Sequence, residues 1–69
     1  MYTLHDDFNG HPLSRHRTLG AAVRAERAHA RAIRRANGPG SYLHYRYTVD
    51  GEPVDREALE QARMTEDEL

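Results

Sequence analysis

One stretch limits this chain more than any other. From Leu19 to Ala36 the sequence reads LGAAVRAERAHARAIRRA, preceded by Thr18 and followed by Asn37-Gly38-Pro39-Gly40. Thr18 can cap the first turn of a helix, glycine can supply the left-handed stop, and proline prevents continuation. The spacing therefore predicts a helix over 19–36, about a quarter of the chain. At about 100° per residue this helix has three sides. Leu19, Ala22, Val23, Ala30 and Ile33 form an apolar stripe, and Arg24, Arg27, Arg31, Arg34 and Arg35 form a cationic one. Ala21, Ala25, Ala28, Ala32 and Ala36 form a smooth third side, which either lends helix propensity or admits a second helix at close range.

Such a helix brings little apolar volume, so strands must build most of the core. The chain has 69 residues and no cysteine; nine of its 26 hydrophobic residues are alanine, leaving 17 larger side chains. That suffices for one sheet face and one helix in a single domain spanning residues 1–69. Tyr2 to Asp6 alternates as a half-buried strand does, and Phe8-Asn9-Gly10-His11-Pro12 is turn chemistry. Leu13 to Arg17 reads as a short return strand. Ser41 to Val49 is the clearest strand, with Leu43, Tyr45, Tyr47 and Val49 on one face and Tyr42, His44, Arg46 and Thr48 on the other. Asp50-Gly51 signals a hairpin, Glu52 to Val54 returns, and Asp55 caps a second helix holding Ala58, Leu59 and Ala62. Fraying is expected over 65–69.

The expected fold class is α+β: an antiparallel sheet of three or four strands, one long helix on one face and a short C-terminal helix. The expected core is Leu4, Leu19, Val23, Ile33, Leu43, Tyr45, Tyr47 and Val49, and on that reading Ile33→Ala costs about 2–5 kcal/mol.

Net charge is −1, but it is sorted: residues 1–36 carry +4 and residues 37–69 carry −5. Five arginines on one helix face could track phosphates through Arg24, Arg27, Arg31, Arg34 and Arg35. Against that, the chain is not basic overall, and no aromatic residues interleave the arginines to stack bases. Glu26 falls within the apolar stripe and needs a partner, either a hydroxyl of Tyr45 or Tyr47 or an arginine of the sheet. His5, His16 and His44 could project together from the sheet face away from the helix, but their spacing matches no metal-ligand motif. That same face carries Tyr42, His44 and Arg46, residue types suited to docking. A second helix covering it is the alternative.

No phosphate loop, nucleophile–base arrangement or paired carboxylates is present, so the chain is expected to be a non-enzymatic binding protein with no cofactor and no metal. Its first residues have neither a basic n-region nor an apolar h-region, and nothing approaches a membrane span, so a cytoplasmic location without membrane contact is expected.

A small cysteine-free α+β chain with one arginine–alanine helix and an acidic C-terminal half resembles, in architecture and composition, the inhibitor proteins of phages and mobile elements, the anti-CRISPR proteins among them. The resemblance implies stoichiometric inhibition by docking on a protein or ribonucleoprotein complex such as a CRISPR effector. It points to the acidic residues Asp50, Glu52, Asp55, Glu57, Glu60, Glu66, Asp67 and Glu68 as an imitation of nucleic acid. The partner-binding set is then Tyr42, His44, Arg46, Asp50, Glu52, Asp55, Glu57 and Glu60, on a monomer or small homo-oligomer. The alternative is a nucleic-acid binder or regulatory protein that works through the arginine stripe.

Overall fold

The computed structural model describes residues 1–41 and 43–67. Six elements follow one another: β1 (Tyr2–Asp6), β2 (Pro12–His16), α1 (Leu19–Asn37), β3 (Tyr45–Val49), β4 (Glu52–Pro53) and α2 (Arg56–Asp67). The strands form one sheet in the order β2-β1-β3-β4, and every neighbouring pair is antiparallel. The expected α+β class and its two helices are therefore what the chain adopts.

Local chemistry sets most boundaries. The Thr18 side chain accepts the Ala21 N–H at 3.1 Å, and Gly38, at φ 104°, donates its own N–H to the Arg34 carbonyl at 2.8 Å. Thr18 thus satisfies a free donor of the first turn, and Gly38 ends the helix in a conformation that favours glycine. Asp50 and Gly51 both take positive φ, 51° and 86°, which makes the two-residue β3–β4 loop a type I′ turn matched to the sheet twist. Asp55 caps α2 by accepting the Ala58 N–H at 3.2 Å.

The register places Leu4 between Ser14 and Tyr47, and Tyr2 between His16 and Val49. This side of the sheet receives α1. Leu4, Ala22, Val23 and Tyr47 are buried, with Tyr2, Leu19, Ala25, Tyr45, Val54, Leu59 and Ala62 packed around them. Because Leu59 and Ala62 belong to that cluster, α2 lies beside α1 on the same side of the sheet. The opposite side carries Thr3, His5, Arg15, Arg46 and Thr48, and neither helix covers it.

Two sequence expectations need correction. Ile33, Leu43 and Val49 are half-buried and stand outside the core cluster. The reason is length: α1 runs about 28 Å, whereas a five-residue strand spans about 17 Å. α1 meets the sheet as far as His29, which bonds to Tyr45, and Ile33 lies one turn further along. The third strand begins at Tyr45, not Ser41. Tyr45 pairs with Asp6, the last residue of β1, so Leu43 and His44 lie past the end of that strand. One contact continues past it, from the Asp7 N–H to the His44 carbonyl at 2.9 Å.

Candidate functional site

Three surfaces could carry function: the arginine stripe of α1, the acidic segment 50–60, and the uncovered side of the sheet. The arginine stripe is divided. Arg24 pairs with Glu66 at 2.6 Å, and Arg27 pairs with Asp67 at 2.6 Å. Arg31, Arg34 and Arg35 make no ion pair among the described residues and are exposed. Thr65–Asp67, where fraying is expected, are helical, and their acids are drawn onto α1. The last two residues, Glu68 and Leu69, lie outside the described residues.

Between the helices and the sheet sits a polar junction. Tyr47 donates its hydroxyl to Glu26 at 2.7 Å, and Arg63 of α2 donates to the same carboxylate oxygen at 3.2 Å. The Arg63 guanidinium also lies over the Tyr47 ring, 5.8 Å from its centre. A tyrosine was among the partners expected for Glu26; the arginine comes from α2 rather than from the sheet. Burial, followed by the hydrogen bond to Glu26, pushes the Tyr47 hydroxyl well above the usual tyrosine range. Tyr45 is raised as well, chiefly by burial, and its hydroxyl shares a 2.7 Å hydrogen bond with His29 Nδ1. Each of these groups is occupied in joining elements, so the junction reads as part of the fold.

The acids of segment 50–60 are all exposed. The Asp50 side chain, 81% exposed, accepts from the Met1 amine at 3.0 Å. Glu60 lies 3.5 Å from Arg56, itself almost fully exposed. Glu52 and Glu57 make no ion pair among the described residues. Asp55 remains exposed while capping α2. The cluster spans the β3–β4 hairpin and the first turns of α2.

On the uncovered side, His5 is held at both ring nitrogens. The Gly10 carbonyl, 3.2 Å from Nδ1, can only accept, so Nδ1 carries hydrogen, and in the neutral ring Nε2 accepts from the Thr48 hydroxyl at 2.8 Å. Arg46, exposed beside His5 in the register, reaches Asp7 at 3.9 Å. A shallow cavity of about 220 Å³, lined by Met1, Thr3, Arg15, Asp50 and Gly51, joins this side to the acidic hairpin.

The three histidines do not converge. His5 is on the uncovered side, whereas His16 pairs with Tyr2, on the helix side, and bonds to Ser14 at 2.7 Å. His44 precedes β3. Among the described residues no group of three or more potential ligands is placed to hold a metal ion. Tyr42 lies outside the described residues; of its companions His44 and Arg46, His44 precedes β3 and Arg46 belongs to it. Thr3, Arg15 and Thr48 share its side and were not singled out as site residues by sequence reasoning, although the alternation of β1 already separated Thr3 and His5 from Tyr2 and Leu4.

Among the described residues no helix is long and apolar enough to cross a membrane. No protein family, curated protein or solved structure matches the chain.

Proposed function

We propose that this chain is a small non-enzymatic binding protein. On this reading it acts as a stoichiometric inhibitor, docking on a basic surface of a protein or ribonucleoprotein complex of the CRISPR-effector kind. The observation that carries the reading is that both helices pack on one side of the sheet. The other side is left uncovered, with an exposed acidic hairpin at its edge. The molecule is flat, 32 × 30 × 18 Å, and its broad face is wide enough for a standard interface of roughly 800 Å² per partner. Charge use supports the acidic edge as the working region. Glu66 and Asp67 neutralise arginines of the same chain, whereas Glu52 and Glu57 are exposed and make no ion pair among the described residues. Exposed acids of this kind speed encounter with a basic partner and set its orientation.

Charge reversal tests the reading on a partner captured from host lysate and then purified. Glu57→Arg with Glu60→Arg is expected to abolish binding, while Arg31→Glu with Arg34→Glu leaves it within a few-fold. Both double variants should melt near the wild-type temperature, since exposed charge changes shift stability by about 0.5 kcal/mol or less. Arg31 and Arg34 suit the control because Arg27 already holds Asp67. A second reading, nucleic-acid binding, is favoured by one observation: Arg31, Arg34 and Arg35 are exposed along α1 and make no ion pair among the described residues. The opposite pattern of variants would select it.

A further inference from the structure

The apolar core of this chain is short of material, yet its one phenylalanine stands in solvent: Phe8 is 93% exposed at the tip of the β1–β2 hairpin. A single exposed apolar residue is ordinary in itself. Phe8 differs in how firmly its backbone is held. Its N–H donates to Asp6 Oδ1 at 2.9 Å, and the His11 N–H donates to Asn9 Oδ1 at 2.9 Å. Across the loop the Asp6 N–H donates to the His11 carbonyl at 3.0 Å, and the Gly10 N–H donates to the Asp6 carbonyl at 2.7 Å. The Asp7 N–H is tied to His44 beside β3. The tip therefore presents an aromatic ring whose loop is already ordered, and ordering is a large part of what binding costs.

We propose that Phe8 is an anchor that inserts into an apolar pocket, rimmed by basic side chains, on the protein partner. The proposal rests on the docking reading above and adds a residue outside the acidic segment. Charge complementarity decides the kind of partner. Asp6 and Asp7 precede the ring directly, and Asp7 is only loosely engaged by Arg46 at 3.9 Å. Two carboxylates at the tip repel a phosphate backbone or an anionic lipid surface and favour a basic rim. The cavity lined by Met1, Thr3, Arg15, Asp50 and Gly51 is polar and gives the phenylalanine of a second copy no apolar seat. Aromatic anchors seated in pockets dominate docking energetics.

The test places a photoreactive benzoylphenylalanine at position 8 of the full chain and irradiates it in three mixtures: host lysate, duplex DNA, and phosphatidylserine vesicles. A protein that forms an adduct is purified and titrated with wild type, Phe8→Ala, and the Glu57→Arg, Glu60→Arg pair. The expected result is an adduct with a second protein whose affinity falls at least about 30-fold with Phe8→Ala, at an unchanged melting temperature. Adducts only with DNA, lipid or another copy, or none at all, overturn the proposal. So does a Phe8→Ala variant that binds as wild type does, or one that melts early. Retained binding in Phe8→Ala with loss in the glutamate pair removes the anchor alone and leaves the docking reading standing. Loss in Phe8→Ala with retention in the glutamate pair keeps the anchor and removes the acidic surface.

Discussion

Tyr47 joins the sheet to both helices. It fills the core with its ring, donates to Glu26 from α1 and stacks under Arg63 from α2. Tyr47→Phe keeps the ring and removes the donor, leaving Glu26 with Arg63 alone. A hydrogen bond to a charged group contributes about 1.5–3 kcal/mol, and part of that is retained through Arg63, so a loss of about 1–2 kcal/mol is expected in urea unfolding. The same contact has a pH signature. Tyrosine in an unfolded chain ionises near pH 10, while burial holds the folded Tyr47 hydroxyl protonated to higher pH. Above about pH 10 the unfolded state therefore binds fewer protons than the folded one, and stability falls as pH rises. Tyr47→Phe should flatten that alkaline decline without abolishing it, because Tyr45 is raised too. An unchanged slope between about pH 10 and 12 would exclude this role. In the apolar layer, Leu4 is 1% exposed, so Leu4→Ala is expected to cost about 2–5 kcal/mol. The half-buried Ile33 should cost under about 1.5 kcal/mol on truncation. Melting curves that reverse this order would place the far half of α1 in the core after all.

At the scale of elements, the instructive contact lies where α2 meets the start of α1. The first turn of α1 contains no acidic residue. Glu66 of α2 takes that place across space: its side chain is 8% exposed, pairs with Arg24, and puts Oε1 2.7 Å from where a Cβ on Gly20 would stand. An anion near a helix N-terminus is stabilising, and glycine leaves room for it. Gly20→Ala should therefore gain less in the wild type than in a Glu66→Ala background, where up to about 1 kcal/mol of helix propensity is released. Equal gains in both backgrounds, measured by a double-mutant cycle, would show that the carboxylate and Gly20 do not interact. Such a contact joins residues 46 positions apart, and nothing in the local sequence announces it. The legible features were local ones: the Thr18 and Asp55 caps, the Gly38 stop, the Asp50-Gly51 turn and the alternation of β1. Ile33 and Leu43 were misplaced because periodicity says which face of an element is apolar, not how far its neighbour extends. The exposed acids of segment 50–60 could be read from sequence, since nothing nearby can bury them. The uncovered sheet face was legible only as one of two readings, because the side on which α2 packs is not a local property. Phe8 escaped notice because its neighbours spell a turn, and a turn motif does not reveal where its side chain points.

For the molecule as a whole, the sorted charge has two uses. The acids closing α2, together with Glu26, hold arginines and bind the helices together, while the acids of segment 50–60 face outward beside the uncovered sheet. The near-zero net charge thus conceals a basic end, around Arg31, Arg34 and Arg35, and an acidic edge. On the docking reading proposed above, the acidic edge and the uncovered sheet form the working surface, and the arginine stripe is not a phosphate-binding track. The most direct test is a salt titration of the wild-type chain against fluorescent duplex DNA and RNA, read by anisotropy from 50 to 200 mM salt. The wild-type chain is expected to show no saturable binding at the low-salt end. Saturable binding that weakens with a slope of about −3 or steeper in log Kobs against log salt, reporting several released counterions, and that vanishes in the Arg31→Glu, Arg34→Glu, Arg35→Glu triple variant, would contradict that reading.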